Sequence, residues 1–422
     1  MRKRLWAMAI AVVGVSVFTA GHFGWKAWRA DWERRNPEAA RIARYEKVFD
    51  AAWRIVDQKY YDPNFDHARW RRLRDKYRPR VRDQNFAGGL YMNVLTNMMD
   101  ELGTSHVAVS MPPPSEARTP EKARRSDGRE TPDKVFGCGG TYLTLDLGFQ
   151  QARLRRGDRL ATVVADVRRD SPAEKAGIAP GDVVGRFRLQ GRKGLCPRLV
   201  ALIASPGQAP RVVSYDVTDR PPRSTHRRTD LASGVRVLSF DGFNRESARW
   251  VAENLNNAPP QGVILDLRLN GGGRVSVERQ LLSQLLSEGL VTGREIAGGR
   301  ERTRKTGQTK DRYDGPLVVL IGPGSASASE STAAALRYHR RALLVGDETA
   351  GALLMSRNFR LPDGGAVQVA IADVLTPDGR RLEGVGVKPD VQVRQTLAAI
   401  RAGRDLPVEA AERLLIEGRW RP

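Results

Sequence analysis

The stretch Pro316–Glu330, PLVVLIGPGSASASE, predicts a buried strand, a tight turn and the start of a helix. The apolar run Leu317–Ile321 is typical of a strand inside a parallel sheet, and the Gly-Pro-Gly turn ends it. A serine at such a turn presents its hydroxyl beside the free N–H groups of a helix start, an arrangement that suits acyl transfer. Ser327 and Glu330 also match a capping box, and on this stretch alone the cap is the better-supported interpretation.

The composition indicates a globular chain of two or three domains. The chain has 422 residues, 41% of them hydrophobic, and a formal charge of +22. That charge favours anionic partners, but it is spread along the chain, so a general preference for arginine explains it equally well. The sequence has no zinc-ligand cluster, helix-turn-helix pattern or aromatic-basic platform, which argues against a nucleic-acid partner.

The N-terminus predicts a membrane anchor within residues 1–30. Met1–Arg4 is cationic, and Leu5–Trp25 then runs without a charge, which is long enough to span a bilayer. A cleaved signal peptide is the alternative, but Phe18 occupies the minus-three position before Ala20 and makes a poor cleavage site. We therefore expect a single-pass signal anchor in the cytoplasmic membrane, with the rest of the chain exported to the periplasmic or extracytoplasmic side.

Residues 31–110 predict an N-terminal helical domain. Apolar positions at helical spacing favour helices over about 37–61, 70–77 and 86–102. The segment 104–109 after the last helix is typical of a strand entry. Residues 111–134, rich in proline and charge, predict a linker.

Residues 135–220 predict a compact β-rich module. Its segment 170–184, DSPAEKAGIAPGDVV, resembles the PDZ domain signature. The resemblance implies a groove that takes a polypeptide C-terminus by strand addition. It also implies a groove helix that includes Leu199–Ala204 and a closing strand at Arg211–Val217. A small β module used only for packing is the alternative. The residues implied to bind the terminal carboxylate lie in a glycine-rich loop: Gly137, Gly139, Gly140 and Thr141.

The same module contains both cysteines of the chain, Cys138 and Cys196. They are able to form one disulfide in an oxidising compartment, but their spacing does not decide whether they pair.

Residues 221–398 predict an α/β core, and residues 399–422 a helical tail. Strands are expected at 235–240, 262–269, 317–321, 342–345 and 367–373, and helices at 246–255, up to 286 and 327–339. The polar segment 290–314 is expected to be irregular. Leu414 and Leu415 of the tail are expected to pack back onto the core.

A serine nucleophile needs a base within hydrogen-bond reach, and the five histidines are the first candidates. His339 lies on the same helix as Ser327, twelve residues further on, which places it about 18 Å away. His106 follows a glycine-terminated helix where the chain changes element, and by elimination it is the best base. The other three lie in the membrane segment, between two helices and in a basic, solvated linker: His22, His67 and His226.

Over residues 41–393 the chain resembles the tail-specific, or carboxyl-terminal-processing, serine peptidases. The segments that carry the resemblance are YYDPNF (60–65), the PDZ signature, GVILDLRLNGGG (262–273), GSASASE (324–330), VGDETAG (345–351) and TPDGRRLEGVGVKPDV (376–391). The resemblance implies a crotonase/ClpP-like α/β peptidase core with an N-terminal helical domain and an inserted β-rich PDZ domain. It also implies that Ser327 is the nucleophile.

One departure from the best-known branch of the family indicates a different base. Those enzymes use a Ser-Lys dyad whose lysine follows a TxG turn, and the matching position here is Ala352. This chain has Ser105-His106 instead, as in the Tricorn-core branch. The resemblance then implies a Ser-His-Ser-Glu relay with His106 as general base, oriented and polarised by Ser105 and Glu383.

For the oxyanion hole, the backbone N–H groups of Ala328 and Gly272 are predicted, with Gly271 as the close alternative. The glycine-rich segment 270–273 is otherwise a plain strand-to-helix turn. It does not match a phosphate-binding loop, because no P-loop lysine follows.

The sequence therefore predicts an exported, membrane-anchored serine endopeptidase that needs no metal or organic cofactor. Its predicted partners are a polypeptide substrate, recognised through a C-terminal or unstructured tail, and the membrane. A homo-oligomer is left open. A catalytically inactive PDZ adaptor of the cell envelope is the main alternative, and a core that binds a small apolar ligand is a third.

Overall fold

The computed structural model describes residue 28 and residues 31–112, 147–156, 159–167, 170–192, 195–217, 226–256 and 261–421. The predicted anchor (Leu5–Trp25), most of the linker and the predicted carboxylate-binding residues (137–141) lie outside these ranges. Cys138 lies outside them as well. Within the described residues no helix combines the length and the apolar character needed to cross a membrane.

The described residues form a helical segment at 31–35, which is not numbered, and then nine helices and sixteen strands, numbered here in chain order. The helices are α1 (Pro37–Lys59), α2 (His67–Tyr77), α3 (residues 87–100), α4 (Pro172–Lys175), α5 (Arg245–Asn256), α6 (Val275–Leu285), α7 (Ala328–Tyr338), α8 (Leu397–Arg401) and α9 (Leu406–Ile416). Helix α3 consists of Ala87–Gly89, a π-helical segment Leu90–Leu95 and Thr96–Asp100, and a short 3-10 turn, Arg78–Val81, follows α2.

The strands form three sheets. They are β1 (Ala108–Ser110), β2 (Phe149–Arg156), β3 (Arg159–Val167), β4 (Val183–Arg192), β5 (Leu195–Ala204), β6 (Arg211–Asp216), β7 (His226–Asp230), β8 (Val235–Phe240), β9 (Gly262–Asp266), β10 (Val291–Ala297), β11 (Arg300–Lys305), β12 (Leu317–Ile321), β13 (Leu343–Gly346), β14 (Leu354–Arg360), β15 (Ala366–Leu375) and β16 (Val391–Gln392).

The central sheet has the strand order β16-β13-β12-β9-β8-β7, and all its pairs are parallel except that of the edge strand β7. All five residues of β12 are buried. Leu317, Val319 and Ile321 belong to the core shared with α5, α6 and α7, whereas Val318 and Leu320 pack in a second cluster with α9. Burial on both faces explains why this strand is a continuous apolar run, and the predicted α/β class is confirmed.

The N-terminal helices pack against a second, antiparallel sheet. Its order is β1-β15-β10-β11, with β14 also paired to β15. Phe49 and Trp70 of the helices share one buried cluster with Val367 and Val369 of β15. Strand β1 pairs with β15 directly after the helical domain, so the segment between α3 and β1 lies beside the core.

The expectation of an irregular segment at 290–314 is wrong, because β10 and β11 form a hairpin there. Strand β10 also pairs with β15, from Arg294 opposite Leu375 to Ile296 opposite Asp373. The ladder partner is about 80 residues away in the chain, and local composition does not reveal it. The guanidinium of Arg304 in β11 lies 3.0 Å from the carboxylate of Glu278 in α6, and both side chains are largely buried. The charged residues of segment 290–314 therefore do not all face solvent.

The third sheet, β2 to β6, is an antiparallel meander, called here the inserted sheet. Segment 170–184 forms α4 and a turn in which Asp182 accepts the Ala179 N–H at 2.9 Å. The predicted groove helix is wrong, because Leu199–Ala204 lies in β5 and pairs with β4 and β6. Its alternating residues Leu199, Ala201 and Ile203 are buried in the module, which is the pattern of a strand.

Several polar contacts join the inserted sheet to the core. Arg227 of β7 lies 3.5 Å from Asp166 of β3. Arg155 of β2 lies 3.7 Å from both Asp347 and Glu348, which directly follow β13. Arg401 of α8 donates to the Gly181 carbonyl at 2.6 Å.

Candidate active site

Ser327 lies at the junction of β12 and α7, as the predicted turn requires. Its φ of 55° and ψ of −117° lie outside the regions that non-glycine residues normally adopt. Its N–H is directed both to the Ala352 carbonyl, at 2.9 Å, and to Glu330 Oε2, at 3.0 Å. The capping-box pair predicted from the sequence is therefore present, and the Ser327 hydroxyl lies 3.2 Å from a histidine nitrogen, His106 Nε2.

His106 reaches this hydroxyl from the segment between α3 and β1. Its own φ is also positive, at 60°. On the other side of the ring, Nδ1 lies 2.7 Å from Ser105 Oγ.

Glu383 completes the line of hydrogen bonds. Its Oε2 accepts from Ser105 Oγ at 2.8 Å, and its Oε1 accepts from the Ser105 N–H at 3.0 Å. The Ser105 hydroxyl donates its only hydrogen in the bond to Glu383. Ser105 Oγ is therefore the acceptor in its bond with His106, and Nδ1–H is the donor. This leaves Nε2 of the neutral ring without a proton, facing Ser327, as a general base requires.

The ionisation of His106 is set by two opposing effects. Burial lowers the pKa of His106 below 6.5, because a desolvated imidazolium is disfavoured. The negative charge of Glu383 works in the opposite direction and raises it. The net direction is downward, so the ring is neutral at pH 7.

The two predicted oxyanion donors lie close together. A Cβ added to Gly272 would be 2.6 Å from Ser327 Cβ and 2.9 Å from Ala328 N, so only glycine fits. Ala328 is the first residue of α7, and its N–H has no acceptor within the helix. The Gly272 N–H, in contrast, donates to Asn270 Oδ1 at 2.9 Å. The alternative donor, the Gly271 N–H, is directed to the Asp241 carbonyl at 3.3 Å.

The remaining described histidines lie elsewhere. His339 Nε2 contacts the Val291 carbonyl at 2.7 Å, and His67 Nδ1 contacts Asp57 at 2.8 Å. The expectation of a solvated linker at His226 is wrong: it begins β7, and its Nε2 lies 2.9 Å from Ser247 Oγ.

The sequence did not reveal the hydrogen bonds of Glu330 to residues 349–352. It predicted this residue as a cap partner, but the carboxylate also accepts hydrogen bonds from Thr349, Gly351 and Ala352. The available signal was an acidic residue in an otherwise small and apolar helix start. Across the described ranges, no group of three or more His, Cys, Asp or Glu side chains is arranged to hold a metal ion.

Comparison with known proteins identifies related peptidases. The family model described as Peptidase family S41 matches residues 234–393, and that of the Tricorn protease C1 domain matches residues 43–85. The carboxyl-terminal-processing protease of Synechocystis sp. is 26% identical over 445 residues, which cover 99% of this chain and 94% of that protein.

Solved structures show the same fold. The photosystem II D1 C-terminal processing protease has a TM-score of 0.56 at 22% identity, over 88% of this chain and 97% of that one. The tricorn protease has a TM-score of 0.52 at 17% identity, over 90% of this chain and 37% of that one.

The class that these matches define is a serine-type peptidase of the carboxyl-terminal-processing kind. The chain carries a peptidase family S41 domain over residues 234–393 and a Tricorn protease C1 domain over residues 43–85. The predicted resemblance to the carboxyl-terminal-processing peptidases is thereby confirmed, whereas the PDZ domain and the Ser-His branch stay predictions.

Proposed function

We propose that this protein is an exported, membrane-anchored serine endopeptidase that cleaves polypeptides through a Ser327–His106–Ser105–Glu383 relay. The observation that supports the relay most strongly is the unbroken line of hydrogen bonds, of 3.2, 2.7 and 2.8 Å, from Ser327 Oγ to Glu383 Oε2. The charge-free segment Leu5–Trp25 after the basic residues Met1–Arg4 supports the anchor and the export.

In this mechanism His106 Nε2 takes the hydroxyl proton as Ser327 Oγ attacks the scissile carbonyl carbon. The Ala328 N–H stabilises the oxyanion of the tetrahedral intermediate. The protonated Nε2 then gives its proton to the leaving amine, and the C–N bond breaks to leave an acyl-enzyme. A water molecule attacks the ester carbonyl while His106 takes its proton, and Ser327 recovers its hydrogen when the acid product leaves.

Ala352 explains why a histidine is needed. At this position the Ser-Lys enzymes of the family have their base, whereas here the side chain is a methyl group and the backbone carbonyl accepts the Ser327 N–H. The nucleophile therefore depends on His106, which precedes the inserted sheet in the chain, whereas Ser327 follows it.

The experiment that tests this function is labelling by a serine-directed phosphonate, with the site mapped by mass spectrometry. We expect one label, on Ser327, because Ser325 and Ser329 are buried and donate to the carbonyls of Leu267 and Asn270. Ser327→Ala should abolish both labelling and cleavage of an unstructured peptide, and His106→Ala should reduce kcat by about 10⁴-fold.

His226→Ala is the matched control for His106, since it also removes an imidazole that lies near a serine hydroxyl. It should retain peptidase activity. Full activity in His106→Ala would contradict the relay. Binding of peptide without any labelling of the wild type would favour the inactive adaptor instead.

The inserted sheet is proposed to recognise the substrate tail. The support is the folded signature segment 170–184 and its attachment to the core through Arg155 and Arg401. Because β5 replaces the expected groove helix, this role is tested separately, by comparing cleavage of one peptide with a free C-terminal carboxylate and with a C-terminal amide. Equal kcat/KM for the two peptides would contradict recognition of the carboxylate.

A further inference from the structure

Residues 349–353, called here the strap, lie between two carboxylates. Glu330 contacts the nucleophile Ser327, and Glu383 contacts Ser105 beside the base. The strap follows β13 and leads into β14. Its Gly351 N–H and Ala352 N–H donate to Glu330, and its Leu353 N–H donates to Glu383 Oε2 at 2.8 Å. One short segment is thus bonded to both the nucleophile side and the base side.

Glu330 is fully buried, and donors occupy both of its oxygens. Oε1 accepts from Thr349 Oγ1 at 2.5 Å and from the Gly351 N–H at 2.8 Å. Oε2 accepts from the Ala352 N–H at 2.8 Å and from the Ser327 N–H at 3.0 Å. Three of the four donors are backbone groups, so the carboxylate holds main chain rather than a flexible side chain.

The backbone that Glu330 holds includes the strained residue of the site. Ser327 has a φ of 55°, and such a conformation persists only where its surroundings over-determine it. The Ser327 N–H is also directed to the Ala352 carbonyl at 2.9 Å, within the strap. The nucleophile, Glu330 and the strap therefore form one closed set of hydrogen bonds.

We propose that Glu330 is a positioning residue for the proposed peptidase reaction. It fixes the orientation of Ser327 and, through the strap, the distance between Ser327 and the Glu383 end of the relay. This inference depends on the proposed function, because the geometry it maintains is that of the Ser327–His106 pair. In this proposal the strap, which has Ala352 in place of a catalytic lysine, contributes to catalysis through its backbone alone.

The arrangement calls for a carboxylate at this position. The amide introduced by Glu330→Gln would keep one oxygen acceptor but would direct an NH₂ group at two of the four donors. At least one of these two is a backbone N–H, which cannot accept a hydrogen bond. Thr349→Val is a milder change of similar shape that removes one donor to Glu330 and one acceptor of the Val387 N–H. Thr349→Ser keeps the hydroxyl and should restore most of what the valine variant loses.

The test measures kcat and KM on an unstructured peptide, the rate of phosphonate labelling and the thermal midpoint, in the full-length protein. For Glu330→Gln we expect a fall in kcat and in labelling rate of about 100-fold, because small displacements of a nucleophile are that costly. KM should stay within about threefold, since Glu330 is fully buried and is not exposed to a bound substrate. For Thr349→Val we expect a loss of about tenfold in kcat.

Glu278→Gln is the matched control. Glu278 is also buried and also contacts α7, through Ser331, one turn beyond Ser327, but it pairs with Arg304 and not with the strap. This variant should lower the thermal midpoint and leave kcat unchanged.

The outcomes separate this inference from the proposed function. If the wild type is not labelled at all, the peptidase proposal itself fails. If the wild type is labelled while folded Glu330→Gln and Thr349→Val retain kcat within about threefold, only the positioning role is overturned. Equal losses of kcat in Glu330→Gln and Glu278→Gln would also overturn it, as general destabilisation.

Discussion

Ser327 and His106 both have positive φ angles, 55° and 60°. Each such conformation costs about 1–3 kcal/mol in a non-glycine residue, and tertiary contacts must offset that cost. For Ser327 these contacts are the hydrogen bonds to Glu330 and Ala352. Both residues whose side chains must meet, 221 positions apart, are therefore strained.

The pH dependence of the reaction follows from the burial of His106. The base must be neutral, so activity is full above its pKa and is lost as the pH falls through it. Burial lowers the pKa of His106, so we expect the acid limb of the kcat/KM profile below pH 6.5. A pH series on one peptide substrate measures this, and an acid limb above pH 7 would contradict it.

Replacing Glu383 by glutamine tests the opposing charge. The Glu383 carboxylate raises the pKa of His106, so Glu383→Gln should move the acid limb to still lower pH. The same change weakens the orientation of Ser105, and kcat should fall by about 10- to 100-fold. An acid limb that moves upward would show that Glu383 does not act on His106 in this way.

At the scale of elements, the site forms where the turns after β9 and β12 approach each other. The turn after β9 contains Gly272, whose φ is 95°, and Ser327 follows the turn after β12. The strands are parallel neighbours, so their carboxyl ends lie at the same edge of the central sheet. That common edge brings the predicted oxyanion segment to the nucleophile.

A methyl group at Gly272 should therefore damage the site more than the fold. Its Cβ would lie 2.6 Å from Ser327 Cβ, at a φ that side chains rarely adopt. We expect Gly272→Ala to reduce kcat by about 100-fold or more in a protein that still folds. Gly271→Ala is the control, since nothing lies within 4 Å of its added Cβ. Similar kcat values in the two variants would contradict the close approach.

Elements that are buried on both faces were predicted best. Strands β8 and β12 begin and end at the residues expected, because their apolar runs need no partner to be recognised. The hairpin β10–β11 was missed, and one of its strands pairs with the distant β15. The segment of β5 was expected to be a helix, but pairing with β4 and β6 outweighs its local propensity.

At the scale of the whole molecule, the C-terminal helix α9 closes one face of the central sheet. Leu415, predicted to pack back on the core, is buried in a cluster with Val318 and Leu320 of β12. A Cβ on Gly262 would lie 2.9 Å from Leu415 Cδ2, so the helix approaches the sheet closely. The face opposite α7 is therefore sealed by the last helix of the chain.

Leu415→Ala should lower the free energy of unfolding of the core by about 2–5 kcal/mol, because it leaves a cavity beside β12. Urea unfolding followed by tryptophan fluorescence measures the change. The neighbouring Ile416 is 59% exposed, and Ile416→Ala should change the same free energy by less than about 0.5 kcal/mol. Equal effects of the two substitutions would show that α9 does not cover the sheet as described.

The sequence by itself determined the class of the core, its buried strands and the identity of the relay candidates. Apolar periodicity and turn residues are local properties, and the family motifs lie in short continuous segments. All of these can therefore be recognised without a structure. Ser105, His106, Ser327 and Glu383 were all named in this way.

Only the tertiary structure decided the distances among these residues, the partners on the two sides of the His106 ring and the hydrogen bonds of Glu330 to Thr349, Gly351 and Ala352. It also directed the Gly272 N–H to Asn270 and placed a strand where a groove helix was expected. These features depend on hydrogen bonds and burial between segments up to 278 residues apart. Such bonds are set by how the sheets and helices pack, and the pattern of residues along the chain does not specify that geometry.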